Sequence, residues 1–440
     1  AELLTTNVVK NVTCKNGTTA NWDNTDFSIK LKNIHTPDYC TIDFTDGYIV
    51  TLTSSNGTVN PSNISVGYGG SAKFTVTPNS GFKAELETNT CGGTLSGNIY
   101  TISNITGNKT CTITFKPNLP TLLSQILKDN PTRDTRTTFT AFTENTTGTL
   151  FTATEKIGTN PEKEVYYYAG NTTNNWVKFG GFYWRIIRTN HDGSIRLLYS
   201  GTSPDTTSGY IGTSAFNSTY KDPMYVGYKY GTTGSLENNR LNTNDSIIKT
   251  YVDNWYKNNL TAYTKYLSND AVYCNDRTLA SGQTYSTTNN VEFASSERID
   301  TNKQPTYNCA NMSDAFSVNN TSAKLDYPVG LMTIDELSYA GGQYNTKLIK
   351  PFAWFYTNAN GRIITGNNST WSLSPRSWNS SRSIVWFIGG YLYPGYLISE
   401  EVGSSVAVRP ALSLKSCIKY STGNGTSETP YEIVETSSGC

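Results

Sequence analysis

Adjacent acidic residues are the first candidates for chemistry in this 440-residue sequence. Asp335 and Glu336 could act as a general acid and a general base, because such catalysis needs carboxyl groups held close together. Glu336, however, follows Thr333 by three positions, which is the spacing of a capping box at the start of a helix. Glu400 and Glu401 are neighbours, so on a strand they would point to opposite faces and could not flank one bond. The spacing therefore favours a structural role for Asp335 and Glu336, and neither acidic pair predicts a catalytic site.

Histidine is the next candidate, and the sequence has only two, His35 and His191. Neither has another histidine nearby in sequence, so a zinc site, a proton relay or a Ser-His-Asp triad lacks its parts. No phosphate-binding loop, nucleophile elbow, zinc-protease helix or EF-hand loop is present. We therefore expect no catalytic residue, no metal ligand and no cofactor, and we do not expect an enzyme.

The eight cysteines point to disulfides rather than to redox or zinc chemistry. None forms a Cys-x-x-Cys motif, and their number is even. They fall as four successive pairs separated by 26, 20, 35 and 23 residues, and loops of this size gain about 3–4 kcal/mol from closure. Free buried thiols are the alternative. The disulfide interpretation predicts an oxidising, extracellular location. In chain order the expected pairs are Cys14–Cys40, Cys91–Cys111, Cys274–Cys309 and Cys417–Cys440.

The composition is that of a polar, folded chain without a strong charge. Lys and Arg number 35 against 34 Asp and Glu, which gives a net charge of +1. Only 16% of residues are charged, while 12% are aromatic, which is enough to form packed cores. A chain without a basic patch has no electrostatic footprint for nucleic acid. No run of 18 apolar residues occurs, so we expect neither a nucleic-acid partner nor a membrane span.

An internal repeat organises the N-terminal part of the chain. Residues 33–44 and 104–115 share the frame Asn-Ile, five residues, then Cys-Thr-Ile-x-Phe. The last five residues of this frame alternate, which predicts a strand with Cys, Ile and Phe on one face. Glycine-rich turns separate further alternating runs of the same kind. Short strands with frequent turns favour small β-sandwich modules.

The two copies of the repeat define two modules. The second, 46–118, carries the segments 56–61, 68–70 and 76–82 ahead of its closing Cys-Thr-Ile-Thr-Phe. Through these it resembles the immunoglobulin-like repeats of bacterial surface proteins, and the resemblance implies a β-sandwich. Residues 1–45 are too few for a full sandwich of this kind. We expect them to form a short β module.

The segment 119–165 is expected to connect the modules to the rest of the chain. Apolar residues at helical spacing predict one helix at 121–128. The remainder, 129–165, is rich in Thr and Asn with little periodicity, which predicts an extended linker. From residue 166 onward the chain changes character, and 166–440 is expected to form one domain.

Periodicity predicts that this last domain is α+β. Two strands should form a hairpin across the turn 190–193. An amphipathic helix is expected at 245–260, with Asn244 or Asp245 as its cap. A second helix should begin at the capping box described above and end at Gly341. Strands return near the end of the chain, so that helices are set among antiparallel strands.

Four motifs mark this domain: 184–188 (W-R-I-I-R), 330–336 (G-L-M-T-I-D-E), 371–375 (W-S-L-S-P) and 408–412 (V-R-P-A-L). They resemble the landmarks of the C-type-lectin fold, which formylglycine-generating enzymes share with the variable proteins of diversity-generating retroelements. Similar sequences occur in gut Firmicutes and their phages, behind immunoglobulin-like modules. In variable proteins the stretch between the last two landmarks is diversified and faces the ligand. The resemblance implies this role for residues 376–406.

The resemblance does not extend to two activities known on this fold. Sugar-binding C-type lectins hold calcium with Glu-Pro-Asn or Gln-Pro-Asp plus Trp-Asn-Asp, and 166–440 contains none of these. Formylglycine-generating enzymes use a closely spaced cysteine pair, whereas Cys417 has no near neighbour in sequence. What the resemblance implies is therefore a binding protein without a cofactor.

The ligand-facing segment is dense in Trp, Tyr, Phe and Arg, which is typical of binding hot spots. Alternation between residues 386 and 396 predicts that odd positions face outward and that even ones, such as Trp386 and Leu392, face the core. Register and residue type then give the expected ligand contacts: Arg376, Ser377, Asn379, Arg382, Ile384, Phe387, Tyr391, Tyr393, Ile398, Glu400 and Glu401.

Together these features predict an extracellular adhesin or receptor-binding protein displayed on a cell or a virion. Its modules would present a disulfide-held head that binds a protein or glycan on another cell surface, because a rigid scaffold keeps the ordering cost of binding low. Two alternatives stay open. One is an enzyme on the formylglycine-generating-enzyme-like fold, and the other is a structural component of a cell surface or virion.

Overall fold

Alternating apolar residues and frequent turns give this chain mostly β structure: strands hold 38% of residues and helices 13%. A computed structural model describes residues 7–23 and 28–440. The chain divides into two units, Ala1–Leu119 (unit 1) and Pro120–Cys440 (unit 2). A mostly β, multidomain architecture was expected, and this coarse prediction is confirmed. Within the described ranges, no helix is long and apolar enough to cross a membrane.

Unit 1 is built from strands alone in its described part. Its strands are β1 (Asn7–Cys14), β2 (Thr19–Asp23), β3 (Ser28–Lys32), β4 (Cys40–Asp46), β5 (Tyr48–Ser55), β6 (Gly57–Asn60), β7 (Asn63–Val66), β8 (Ala72–Pro78), β9 (Phe82–Asn89), β10 (Thr94–Ser96), β11 (Ile99–Ile102) and β12 (Lys109–Pro117). Strands β5 to β12 form two four-stranded sheets, in the orders β7-β5-β12-β9 and β10-β11-β8-β6. The central strands β5 and β12 are parallel.

The second copy of the repeat places one face of β12 in a core between the two sheets. Cys111, Ile113 and Phe115 are fully buried, as their alternation predicted. They share a cluster with Val50 from the same sheet and Phe74 from the other. Cys111 is also bonded to Cys91. Burial of large side chains contributed by both sheets is what holds such a sandwich together.

The first copy of the repeat has the same alternation in β4 without the same burial. Ile42 and Phe44 are 37% and 43% exposed. Strand β4 pairs only with β1, and β2 pairs only with β3, so the described residues of this region form two separate two-stranded sheets, not the four-stranded sheets of the second module. The Cys14–Cys40 disulfide ties β1 to β4. Residues 1–6 and 24–27 of the predicted short module lie outside the described residues.

Unit 2 combines many short strands with five α-helices. Its strands are β13 (Thr132–Asp134), β14 (Thr149–Glu155), β15 (Lys163–Tyr167), β16 (Trp176–Phe179), β17 (Phe182–Thr189), β18 (Ile195–Tyr199), β19 (Thr213–Ser214), β20 (Lys229–Tyr230), β21 (Asn244–Asp245), β22 (Tyr273–Cys274), β23 (Asn290–Glu292), β24 (Ala315–Phe316), β25 (Val329–Leu331), β26 (Thr370–Asn379), β27 (Ser383–Ile388), β28 (Leu397–Glu401), β29 (Val406–Ala407), β30 (Pro410–Leu414), β31 (Tyr420–Thr422) and β32 (Tyr431–Ile433). Its helices are α1 (Leu122–Asp129), α2 (Leu236–Asn239), α3 (Ile247–Asn259), α4 (Ala294–Ser296) and α5 (Ile334–Ala340).

The segment expected to be a linker belongs to unit 2. Helix α1 begins where predicted, with Thr121 as its cap, and it buries Leu122 and Ile126. Strands β13, β14 and β15 extend a ten-stranded sheet through β17. Residues 129–165 therefore differ from the extended linker predicted for them. These strands are short and mostly polar, and they are held in the sheet by backbone hydrogen bonds with little apolar periodicity, which explains why the sequence pattern did not reveal them.

The ten-stranded sheet has the predicted hairpin near its centre. Strands β17 and β18 pair antiparallel, and β18 continues to β30 and β25. Helix α3 forms as predicted, but its cap is Ser246, whose hydroxyl accepts a hydrogen bond from the Lys249 backbone N–H. Asn244 and Asp245 are instead paired in β21, so the predicted cap was wrong. Helix α5 runs from its capping box to Gly341, as predicted.

A six-stranded sheet carries the segment predicted to face the ligand. Its strand order is β19-β29-β26-β27-β28, and a sixth strand, β23, pairs antiparallel with β26. Two disulfides, Cys274–Cys309 and Cys417–Cys440, lie in unit 2. All four disulfides connect cysteines in chain order, as predicted. Four disulfides are typical of secreted or extracellular proteins.

Candidate ligand-binding site

Glu336 lies in the first turn of α5 and closes the predicted capping box. Its carboxylate accepts a hydrogen bond from the Thr333 backbone N–H, and the Thr333 hydroxyl accepts one from the Glu336 backbone. Glu336 Oε1 lies 2.8 Å from both Arg188 Nε and Arg196 Nη1. Burial raises the pKa of Glu336, but the two arginines outweigh it and hold that pKa below its ordinary value. Glu336 therefore joins helix to sheet, which is the structural role predicted for it.

Asp335, the other half of the acidic pair, is also part of the scaffold. Its two carboxylate oxygens lie 2.9 and 3.0 Å from Nε and Nη2 of Arg298. Arg298 Nη1 in turn lies 2.8 Å from Asp276. The Thr306 backbone N–H donates to Asp335 as well. The carboxylate oxygens of both acids are thus hydrogen-bonded to other residues of the fold.

The predicted ligand contacts are spread along a three-stranded antiparallel group, β26-β27-β28. The turn 379–382 joins β26 to β27, and we call this the turn end. The loop 389–396 joins β27 to β28, and we call this the loop end. The exposed members of the predicted set lie at these two ends: Asn379 and Arg382 at the turn end, and Tyr391 and Tyr393 at the loop end. The length of β27 separates the two exposed groups.

The turn end has an open groove of about 420 Å³. Arg382 is exposed, and its Nη1 lies 2.6 Å from Glu401 Oε2. Asn379 is exposed and accepts a hydrogen bond from the Arg382 backbone. Tyr220 and the buried Trp378 line the groove, and Trp378 Nε1 has no hydrogen-bond partner among the described residues. The turn end therefore offers aromatic and polar contacts together.

Between the two ends the predicted contacts are covered to different degrees. Arg376 is 18% exposed, and its guanidinium lies 5.1 Å from the ring centre of Trp386. Ser377 and Phe387 are buried, so they do not reach the surface, and the structure removes them from the predicted contacts. Phe387 packs edge-on against Trp371 instead. Besides Arg376, the half-buried members of the predicted set are Ile384, Ile398, Glu400 and Glu401.

The predicted alternation over 386–396 is wrong at two positions: Phe387, expected to face outward, is buried, and Leu392, beyond the end of β27 at Ile388, is exposed. The chain folds back at Gly389, where an added Cβ would lie 2.3 Å from the Tyr393 carbonyl oxygen. Only glycine permits so close an approach of backbone to backbone. Leu392, expected in the core, is 74% exposed. Because the chain turns at Gly389, the residues after it do not continue the alternation of a strand, and Leu392 is therefore not placed in the core.

The loop end exposes a group of large apolar side chains. Ile349 and Leu392 are 71% and 74% exposed, and the two tyrosines of the loop are 62% and 52% exposed. Ile349 lies next to this loop in space, because the backbone N–H of the preceding residue, Leu348, donates a hydrogen bond to the Pro394 carbonyl at 2.9 Å. Exposed apolar patches of this kind commonly mark interaction sites. We define the apolar patch as Ile349, Tyr391, Leu392 and Tyr393.

Hydrogen bonds fix the loop that carries this patch. The Tyr356 hydroxyl donates to the Gly390 carbonyl at 2.9 Å, and the Gly390 backbone N–H donates to the Ser369 hydroxyl at 3.0 Å. Tyr356 is buried, and its burial raises the pKa of its hydroxyl well above the ordinary value. Because the loop is anchored to the interior, the patch is presented with little conformational freedom left to lose.

A second site, which the sequence patterns did not indicate, is a pocket of about 700 Å³ in unit 2. Five separate segments form its wall, including 350–352, which directly follows Ile349 of the apolar patch. Arg185 of β17 lines the pocket and is only 3% exposed. The motif that contains Arg185 served above only as a landmark. Two arginines, Arg185 and Arg188, in a strand that is mostly aromatic and apolar were the one signal that could have drawn attention to it.

Three aspartates form the only described group of acids close enough together to hold a metal ion. A side chain of the protein already lies among them, because Lys249 Nζ is 3.1, 2.6 and 2.8 Å from the carboxylates of Asp245, Asp253 and Asp326. Lys249 is fully buried. Burial and the neighbouring acids raise the pKa of Asp253 to about 6, although Lys249 opposes this. The lysine ammonium supplies the positive charge that this cluster needs.

The sites described above rest on geometry alone. Comparison with protein-family models, with curated proteins and with solved structures gives no match for this chain.

Proposed function

We propose that the protein is an extracellular ligand-binding protein and that the apolar patch at the loop end of unit 2 contacts its partner. The observation that carries the proposal is the exposure of Tyr391, Leu392 and Tyr393 on an ordered loop. Tyrosine provides a large contact area at low conformational cost and is enriched at binding hot spots. Four disulfides fit a protein that works outside the cell.

The proposal extends to the scaffold and to the partner. Unit 2 would be a C-type-lectin-like head, behind immunoglobulin-like modules in unit 1, as the motifs of the sequence suggest. The partner would be a protein or glycan on another cell surface. The turn end, with Asn379, Arg382 and Glu401, would form a second contact area, since the groove beside it combines aromatic rings with polar groups. Sequence variation within 376–406 would then change both ends of the site at once.

The test is binding of the full chain to a glycan array and to a panel of bacterial cells. Tyr391→Ala and Tyr393→Ala should each weaken binding about 10-fold or more, as truncations of hot-spot residues. Leu241→Ala is the matched control, because Leu241 is 57% exposed but lies outside the apolar patch. This control should bind like the unmodified protein.

Two results would count against the proposal. Full binding in both tyrosine variants would remove the loop end from the binding site. Concentration-dependent rings or fibres that disappear in Tyr391→Ala would show that the patch joins copies of this chain. That second result would favour the structural alternative over ligand binding.

A further inference from the structure

Arg185 is a buried cation whose hydrogen bonds are incomplete. Its Nε donates to Asn175 Oδ1, and its Nη2 donates to the Thr172 carbonyl at 2.8 Å. Nη1 has no hydrogen-bond partner anywhere in the described part of the chain. The guanidinium lies 4.3 Å from the ring centre of Trp176 and 5.7 Å from that of Trp354. Its position is therefore fixed by aromatic rings, while one edge keeps free N–H groups.

The other buried arginines show what is missing at Arg185. Arg188 and Arg196 contact Glu336, and Arg277 Nε lies 2.7 Å from Asp314. No carboxylate of the described residues lies within 4 Å of the Arg185 guanidinium. A buried charge without a partner is costly, and a bound anion would offset that cost.

A second buried cation increases the need for an anion. Arg409 donates to the carbonyl groups of Tyr199 and Phe355, and it too has no acidic partner in the described ranges. Burial lowers the pKa of Arg185 to about 9, and the charge of Arg409 adds to this effect. The charge of Arg409 thus disfavours the charged form of Arg185, and a negative charge beside Arg185 would counter this repulsion.

The remaining wall of the pocket suits a sugar. Asn171, Thr173 and Asn360 bring amide and hydroxyl groups, and the half-buried Phe352 brings an aromatic ring. The hydroxyl groups of a sugar can hydrogen-bond to the amides and hydroxyls, and its apolar C–H face can pack against an aromatic ring. A volume of about 700 Å³ is in the range of pockets that hold small ligands. The charged residues at the mouth are Lys350 and Glu428, which are both exposed.

We propose that this pocket binds a sugar bearing a carboxylate, with Arg185 as the residue that receives the carboxylate. The planar guanidinium matches a carboxylate through two parallel hydrogen bonds, which favours this anion over a point-charge contact. The proposal rests on the proposed function, because it names a ligand class for a binding protein. It concerns a different site, since the pocket excludes the two loop tyrosines.

The experiment is calorimetric titration of the full chain with methyl β-glucuronide, methyl β-glucoside and glucose 6-sulfate. We expect the glucuronide to bind at least 10-fold more tightly than the glucoside and the sulfate ester. Equal affinity for glucuronide and glucoside, or binding of the sulfate ester alone, would overturn the proposal. No detectable binding of glucuronide at millimolar concentration would overturn it as well.

Two variants locate the site. Arg185→Gln should abolish the preference for glucuronide, and Ala359→Trp should block the pocket, because Ala359 is an exposed wall residue that does not contact Arg185. Ala359→Trp keeps the proposal testable if Arg185→Gln fails to fold. Lys257→Trp is the control, since it adds the same side chain at an exposed position of α3. Undiminished glucuronide binding by Ala359→Trp would place the sugar elsewhere.

Failure of this proposal can be told apart from failure of the proposed function. Tyr391→Ala and Tyr393→Ala should leave glucuronide titrations unchanged while they weaken binding to arrays or cells. If glucuronide does not bind but array binding depends on the tyrosines, only the sugar proposal falls. If glucuronide binds and the tyrosine variants bind arrays fully, only the role of the apolar patch falls.

Discussion

Arg188 and Glu336 are 148 residues apart in the chain, yet Arg188 Nε lies 2.8 Å from Glu336 Oε1, and neither side chain is more than 3% exposed. The contact joins the central strand β17 to helix α5. Arg188 also reaches Glu155 through Nη2 at 2.9 Å, and so links a third element, β14. One arginine thus connects three parts of unit 2 that are distant in sequence.

The first prediction concerns this contact. Glu336→Gln leaves Arg188 and Arg196 without their shared carboxylate, so the free energy of unfolding should fall by about 3–5 kcal/mol. Glu432→Gln is the matched control, because Glu432 forms an exposed pair with Lys178 and should cost less than about 1 kcal/mol. The measurement is urea unfolding followed by tryptophan fluorescence, which reports mainly on unit 2 because only Trp22 lies in unit 1. Equal losses in the two variants would contradict the assignment.

The second prediction concerns pH. Burial raises the pKa of Glu155, but Arg188 and His191 outweigh this effect and lower it from 4.5 to about 2. The unfolded chain therefore binds more protons between these values, so the free energy of unfolding should fall as the pH drops from about 4.5 to about 2. A shift of this size corresponds to about 3 kcal/mol.

Glu155→Gln provides the comparison that isolates this effect. The difference in unfolding free energy between the two proteins should shrink as the pH falls through this window, since the protonated Glu155 side chain and the amide that replaces it are both uncharged. Guanidinium unfolding at a series of pH values measures it. A difference that stays constant down to pH 2 would show that Glu155 titrates normally.

The third prediction contrasts interior and surface aromatic residues. Trp386 is fully buried, and its Nε1 donates to the Ser295 hydroxyl at 3.0 Å. Trp386→Ala should therefore destabilise unit 2 by about 3–5 kcal/mol through the cavity it leaves. Tyr391→Ala should change stability by less than about 0.5 kcal/mol, because that side chain is mostly in water. Thermal melts of both variants measure the two losses of stability. A larger loss in Tyr391→Ala than in Trp386→Ala would mean that the loop is packed differently.

The fourth prediction concerns the lysine among three aspartates. Lys249→Met leaves Asp245, Asp253 and Asp326 to repel one another, so stability at pH 7 should fall by about 2–4 kcal/mol. The loss stays moderate because Asp326 is more than half exposed and solvent screens its charge. The loss should begin to diminish as the pH falls below about 6, because Asp253, whose pKa is raised to about 6, then takes up a proton and the repulsion weakens. Lys257→Met in the same helix is the control, and an equal loss there would assign the effect to α3 itself.

The sequence could predict features whose causes are local. The alternation of Cys111, Ile113 and Phe115 predicted which face of β12 is buried. The capping box predicted the start of α5, because both of its hydrogen bonds connect residues three positions apart. The disulfide pairs followed from the order of the cysteines. In each case the determining residues lie close together in the chain.

Features that depend on distant segments could not be predicted in this way. The wall of the Arg185 pocket comes from five segments that are distant in sequence, and only the folded chain brings them together. The cap of α3 shifted to Ser246 because Asn244 and Asp245 pair with β20, which a local pattern does not show. The loop after Ile388 reverses because Gly389 allows a backbone approach that register alone does not reveal. Tertiary contacts decided all three outcomes.

Each disulfide joins two cysteines that have no other cysteine between them in the chain. If the chain is exported from its N-terminus, every cysteine therefore meets its correct partner before any later cysteine has emerged. Mispaired bridges, which need slow thiol–disulfide exchange to correct, would have few opportunities to form. Oxidation in step with export would thus complete the covalent framework of unit 1 while unit 2 is still entering the oxidising compartment.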